Sequence, residues 1–265
     1  MSQPDLSIVL PTCNRAALLR QSLLAIAGNT RSRIEVIVVD GASDDDTPIV
    51  LAEARQFLGA SLKVVREQER RGFVHAANQG FSLASGRNLC WLNDDTRPTP
   101  DALDLAVRQV DHADEQLGFV AMFHRWHSTW NVAYEVVANN HTYRLCHVRG
   151  TLYANFPVGR RETFAQLGFF DERFRVSAAD VDLSLKAWDA GLRIEPAYLA
   201  LIDHDEVDDD RRAIDSPLVI EDNRALFEKW DLPQRSGGWR NEFDPQAPCT
   251  LRGPRRPASP RALAA

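Results

Sequence analysis

Leu89-Cys90-Trp91-Leu92-Asn93-Asp94-Asp95 is an apolar run that stops abruptly at two adjacent carboxylates, with Thr96-Arg97-Pro98 directly behind it. Asn88 to Leu92 reads as a strand buried on both faces, and Arg97-Pro98 ends it, because proline cannot continue a central strand. Carboxylates at the carboxyl end of an inner strand stand where open α/β sheets take up their ligands. Their oxygens suit a hard divalent cation, Mg²⁺ or Mn²⁺, and such a cation can hold a diphosphate. The plain alternative is a strand that ends in a solvated acidic turn. The surroundings decide between the two.

Working outward, the first half of the chain alternates strands and helices. Leu6 to Leu10 is a strand stopped by Pro11, and Ala16 to Ala27 carries Leu19, Leu23 and Ile26 at helical spacing before Gly28-Asn29. Ile34 to Val39 is a second buried strand ending at Asp40, followed by a helix from about Asp46 to Leu58 with Thr47-Pro48 at its start. Leu62 to Val65 is a strand, Phe73 to Ala84 a helix, Asp101 to Ala113 a helix and Leu117 to Phe123 a strand. Such alternation predicts an α/β fold with a mostly parallel central sheet flanked by helices.

The second half is irregular. His124 to Val148 mixes aromatics and histidines with no sustained period. Phe164 to Leu167 and Val181 to Ala190 read as helices, Leu192 to Ile194 as a short strand, and Ile214 to Trp230 as a closing helix. From Asp231 to Ala265 the chain is rich in Pro, Gly and Arg and too poor in apolar residues to fold alone, so a flexible tail is expected.

Composition removes several function classes. The 265 residues are 44% hydrophobic and 26% charged, as in ordinary globular proteins, and the formal charge of -6 argues against a nucleic-acid partner. No apolar run approaches the roughly 18 residues of a membrane span, and no signal peptide is visible. Cys13, Cys90, Cys146 and Cys249 are scattered without a Cys-x-x-Cys pair, which fits reduced thiols in the cytoplasm and makes zinc an unsuitable expectation.

Three segments fall at predicted strand ends: Pro11-Thr12-Cys13-Asn14-Arg15, Asp40-Gly41-Ala42-Ser43-Asp44-Asp45-Asp46-Thr47, and Asn93-Asp94-Asp95. With Gly72-Phe73-Val74-His75-Ala76-Ala77-Asn78-Gln79-Gly80 and Ala84-Ser85-Gly86, they resemble the family-2 glycosyltransferases of the GT-A fold. Gly168 to Phe174 is similar to that family's Gly-Gly-Phe-Asp-Glu segment. Asp180-Val181-Asp182-Leu183-Ser184-Leu185-Lys186, with Gly191 and His204, resembles its catalytic helix and trailing histidine. Each motif alone is weak, but their shared order from about residue 5 to 205 is specific.

The resemblance implies one GT-A-type, Rossmann-like domain over 1–230. About 1–123 would bind the nucleotide sugar and 124–230 the acceptor. It implies a nucleoside diphosphate sugar donor (a UDP- or dTDP-sugar foremost), a glycan, lipid-linked or small-molecule acceptor, and Mn²⁺ or Mg²⁺ as cofactor. Pro11, Thr12, Asn14, Arg15, Asp40 and Asn93 would bind the donor; Asp94 would hold ribose or a metal-bound water. Asp95 would contact the metal, with His204 as a further ligand or an ordinary structural histidine. Arg71, in Arg70-Arg71-Gly72, would stack on the base or pair with phosphate, unless this run is a solvated charge cluster with Glu67 and Glu69. Trp126 and Trp130, with Arg161 in Arg160-Arg161-Glu162, fall where the family binds its acceptor, with core packing as the alternative for the aromatics.

Asp180 is the candidate general base, with Asp182 as a fallback and an N-cap as the structural alternative. Two departures from the family stand out. Gly41 replaces the Asp or Asn of many members, leaving the base open. Ala179 replaces the usual Glu before Asp180, which makes a non-catalytic sugar-nucleotide-binding relative the leading alternative. Ser43, Asp45 and Thr47 are expected to cap the second helix. A nucleotidyltransferase would need a Gly-rich triphosphate loop after the first strand, and Pro11 to Arg15 contains no glycine. A Gly-x-Gly-x-x-Gly dinucleotide motif is likewise missing there. The basic tail (Arg252, Arg255, Arg256, Arg261) is a candidate for peripheral contact with an anionic membrane, a solvated tail being the default.

Overall fold

The structure is a computed structural model, and it describes residues 3–125, 131–148, 150–205, 207 and 209–232. The chain begins with β1 (Leu6–Thr12), α1 (Ala16–Asn29), β2 (Ile34–Asp40), α2 (Thr47–Leu58), β3 (Leu62–Arg66), α3 (Phe73–Leu83) and β4 (Asn88–Trp91). It continues through β5 (Thr96–Pro98), α4 (Ala102–His112), β6 (Leu117–Arg125), β7 (Val132–Ala138), β8 (His141–Val148), β9 (Thr151–Leu152) and β10 (Pro157–Arg160). It closes with α5 (Arg161–Leu167), α6 (Ala179–Asp189), β11 (Arg193–His204) and α7 (Asp210–Trp230).

The sheet runs β3-β2-β1-β4-β10-β6-β11-β5. β3, β2, β1 and β4 are mutually parallel, with Thr12 beside Asp40 and Asp40 beside Arg66. Leu6, Ile8, Val9 and Leu10 of β1 and Val36 to Val39 of β2 are fully buried, as near-continuous apolar runs between two helical layers require. α3 lies close against β1 because Gly80 faces Val9: a Cβ there would stand 2.4 Å from Val9 Cγ1. Below the sheet Trp91, Phe81, Phe119, Phe164 and Phe170 pack edge to face, with Trp91 and Phe170 at 4.8 Å.

β10 comes from the irregular half yet inserts between β4 and β6, antiparallel to both. Its four residues carry no readable period, and two flanking strands hold them extended. Thr96-Arg97-Pro98 does not simply end the sheet. It forms the edge strand β5, antiparallel to the end of β11, where a proline is tolerated. The strand expected over Leu192 to Ile194 extends to His204, interrupted by an irregularity between Ala197 and Leu201 where Leu199 adopts a φ of 64°. β7 and β8 form a hairpin turned by Asn139-Asn140 at φ 52° and 62°, a pairing suited to a tight turn with two left-handed residues.

Candidate active site

Because β1 to β4 run parallel, their carboxyl ends lie on one edge, and the neighbours of β1 lead off in opposite chain directions on its two sides. A cavity of 810 Å³ opens there, lined among others by Thr12, Gly41, Glu67, Asp94, Asp180 and His204. This is the size and the place expected of a small-molecule site in an open α/β sheet.

Asp94 and Asp95 follow β4 and are each 2% exposed. Thr12 Oγ1, at the end of β1, donates to Asp94 Oδ2 at 2.9 Å. The Arg15 guanidinium lies across both acids, with Nη1 at 3.2 Å from Asp94 Oδ1 and 2.8 Å from Asp95 Oδ2, while its Nε donates to Asp209 at 2.7 Å. Burial pushes the Asp94 carboxyl up, against the opposing charges of Arg211 and Arg15. Burial acts on Asp95 too, but the His204 ring and Arg15 outweigh it and leave that carboxyl below the usual range. Asp94 faces the cavity; Asp95 sits one layer deeper, between Arg15 and His204.

The remaining oxygen of Asp95, Oδ1, stands 3.3 Å from His204 Nε2, whose ring helps hold the carboxyl down. Two ligands held about 2.1 Å from one metal at right angles would be about 3.0 Å apart, so the pair fits two adjacent coordination positions of a Mg²⁺- or Mn²⁺-sized ion. Among the described residues no group of three His, Cys, Asp or Glu side chains is placed to hold a metal.

Asp180 lines the same cavity from the first turn of α6. Its Oδ1 accepts from the neighbouring Val181 N–H at 2.9 Å, and burial pushes its pKa up. The segment leading to it is fastened by Asp222 of α7, whose carboxylate accepts from the backbone N–H groups of Arg175, Val176 and Ser177 at 2.8 to 3.1 Å. Asp182, the fallback, is fully buried and turned away from the cavity: it accepts from Trp230 Nε1 at 2.7 Å and pairs with Lys229 at 2.7 Å. It joins α6 to α7.

Of the other expected site residues, Pro11, Thr12, Asn93 and Asp94 line the cavity. Asn14 does not. At φ 52° it ties two loops together, its N–H donating to Ser43 Oγ and its Oδ1 accepting from Asp44 N. Asp40 is 1% exposed, and its oxygens are engaged by Ser43 N and Arg66 Nη1, which sets it behind the wall. Asp45, expected as a cap of α2, accepts from Thr47 N and also from Ala16 N, so it serves α1 as well. Arg71 is exposed and off the cavity; Arg70 lines it instead, its Nη2 fixed by both oxygens of Asp215 at 2.8 and 2.6 Å. Arg161 is also misplaced. β10 runs antiparallel to β4 with Arg160 opposite Asn88, so α5 starts at the edge of the sheet remote from Asp94. Trp126 and Trp130 lie outside the described residues.

The cavity is also lined by Glu67 and Arg70, from a charge run that reads either as a base or phosphate contact or as solvated, and by Arg211, Arg212 and Asp215 of α7. Asp209 caps α7 by accepting from Arg212 N at 3.0 Å while holding Arg15.

Comparison with known proteins agrees with this arrangement. Residues 7–161 match the family described as Glycosyl transferase family 2. A PGL/p-HBAD biosynthesis glycosyltransferase of Mycobacterium bovis is 29% identical over 191 residues, 71% of each chain. Glycosyltransferase AglE of Haloferax volcanii is 27% identical over 74% of this chain and 65% of its own. Among solved structures, S. aureus TarS 1-349 in complex with UDP-GlcNAc superposes with a TM-score of 0.67 at 18% identity, over 85% of this chain and 66% of that one. The mannosyltransferase PcManGT from Pyrobaculum calidifontis, in complex with GDP-Man and Mn²⁺, gives 0.65 at 22% identity, over 86% of this chain and 65% of its own. Strand-end motifs, a parallel sheet with a β10 insertion and an extended family match thus converge: the chain belongs to glycosyl transferase family 2.

Proposed function

We propose that this chain moves a sugar from a nucleoside diphosphate sugar to an acceptor hydroxyl with inversion at the anomeric carbon. The observation that supports the reading is that Asp94, beside Asp95 and Arg15, and Asp180 open into one cavity. A donor whose diphosphate lies over the acid pair leaves its sugar toward Asp180.

Each residue then has a defined task. Asp180 takes the proton of the acceptor hydroxyl as that oxygen bonds to the anomeric carbon. The bond from that carbon to the diphosphate breaks on the opposite face, and its electron pair leaves with the nucleoside diphosphate. A carboxylate whose pKa is raised by burial holds the proton better than a solvated one, and such a group contributes about 10²–10⁴-fold. Thr12 and Arg15 fix Asp94 and Asp95, and Arg211 and Arg212 bring positive charge to the side where the diphosphate departs. A cation held by Asp95 and His204 would neutralise the charge growing on the leaving group, and the Mn²⁺ in the PcManGT structure supports a divalent cation here. The acceptor is a hydroxyl on a glycan, a lipid-linked saccharide or a small molecule. A cytoplasmic location is proposed with it, and among the described residues no helix is long and apolar enough to cross a membrane.

The test is a panel of nucleotide sugars with Mn²⁺, Mg²⁺ or chelator, scoring nucleoside diphosphate release. Asp95→Ala should lose metal-dependent turnover; Asp180→Asn should lose turnover and keep donor binding. Ala179 motivates the rival reading, a binding protein without chemistry. Donor binding with no turnover by the native chain across acceptors would favour that rival.

A further inference from the structure

Gly41, directly after β2, brings no side chain to this corner of the site, and Asp40 beside it is already engaged by Ser43 and Arg66. The structure supplies another acid at the same place. Glu67, directly after β3, is 7% exposed and lines the cavity, and neither of its carboxylate oxygens accepts a hydrogen bond of ordinary geometry. His75 Nε2 stands 3.5 Å from Oε1. The Glu67 backbone is anchored, its N–H donating to Asp40 O at 2.9 Å. A Cβ placed on Gly41 would lie 3.5 Å from Glu67 Oε2 and 3.5 Å from Arg70 Cγ, so a side chain at 41 would reach into the space over the carboxylate. The bidentate pair with Asp215 holds the Arg70 stem as a fixed wall of the same corner.

We propose that Glu67 reads the donor's base and selects guanine over the pyrimidines. The proposal rests on the reading of the cavity as a nucleoside diphosphate sugar site. A buried carboxylate that, besides the Arg71 backbone N–H and the His75 ring that help hold its charge, keeps acceptor positions on both oxygens is complementary to two N–H donors side by side, and guanine presents its ring N1–H and exocyclic amine in that way. Uracil and thymine present one ring N–H between two carbonyl oxygens, which would pair one Glu67 oxygen and set the other against an acceptor. Adenine turns a ring acceptor toward the same position. Leaving a buried charged oxygen unpaired is the costly outcome, and sites built on such groups discriminate strongly between partners. Burial pushes the Glu67 pKa up, and two N–H donors would hold it ionised. This assignment departs from the UDP- or dTDP-sugar that the resemblance implies.

The experiment is calorimetric titration of the full chain with GDP, UDP, dTDP and ADP in the presence of Mn²⁺. The expected result is GDP binding at least about tenfold tighter than the others. Glu67→Gln, which keeps the shape but offers one donor and one acceptor, should weaken GDP by about tenfold or more and leave UDP unchanged or tighter. UDP or dTDP binding as tightly as GDP to the native chain would overturn the assignment even if the variant failed to fold. So would a folded Glu67→Gln chain with unaltered preference. If no nucleoside diphosphate binds, the reading of the cavity itself fails, and the assignment with it.

Discussion

Asp222→Ala should cripple turnover from outside the cavity. Asp222 is 3% exposed, and its carboxylate is the shared acceptor for the N–H groups of Arg175, Val176 and Ser177, immediately before Ala178 at φ 64° and the first turn of α6. Hydrogen bonds to a charged group contribute about 1.5–3 kcal/mol each. Three of them cannot simply be added, because water reaches part of this segment once the carboxylate is gone. A loss of about 2–4 kcal/mol in unfolding free energy is therefore expected. Freed at one end, Asp180 loses its position relative to the acceptor, so kcat falls by about tenfold or more while nucleotide affinity is kept. The assays are denaturant unfolding, amide hydrogen exchange at residues 175–177, and turnover beside nucleotide titration. Unchanged exchange at those amides together with native stability would refute the argument.

Other expectations follow from the same contacts. The acid limb of the pH–rate profile should lie above the ordinary aspartate pKa of 3.8: burial raises the Asp180 pKa, so the proton-accepting carboxylate is lost as pH falls through that raised value, and Asp180→Asn should flatten the limb. Arg15→Met should remove the charge that balances Asp94 and Asp95 and cost about 3–5 kcal/mol in chelator, with thermal stability partly restored by Mn²⁺ if Asp95 and His204 take the ion. Glu35, buried and bonded to Ser7, Ser85, Gly86 and Lys63, has its pKa held at about 2 because those partners outweigh burial. Its ionised form therefore stabilises the fold above the unfolded value near 4.5, and this is lost as pH falls toward 2. Glu35→Gln should cost about 1–3 kcal/mol at pH 7 and converge with the native chain in acid melts.

The parallel half was legible because it is built from local signals. Apolar runs in β1, β2 and β4 can only be buried, and Asp40 and Asn93 mark where two of them stop, while β1 runs on through Pro11 to Thr12. The irregular half was not, since β10 has four residues and is a strand only through its neighbours. The Asn139-Asn140 turn was a readable hint of a hairpin that the scattered aromatics of β7 and β8 obscured. For the site, motif positions named Asp94, Asp180 and His204, which the fold brings to one cavity, and Asp95 directly behind it. They misplaced Arg71 for Arg70, because which arginine of a pair turns inward depends on Asp215, 145 residues along the chain. Asp40 looked available because its claim by Arg66 depends on the register of β2 against β3. Arg161 looked close because nothing in the sequence gives the direction of β10.

α7 reaches several parts of the site: Arg211 and Arg212 beside the acid pair, Asp215 holding Arg70, and Asp222 fastening the segment before Asp180, while Trp230 bonds Asp182 behind the cavity. On the proposed function, donor and acceptor preference would be inherited together through one helix. Chimaeras of two relatives joined between β11 and α7 would receive a donor corner from one parent and its clasp from the other, and grafting new specificity onto this scaffold requires carrying the last helix along.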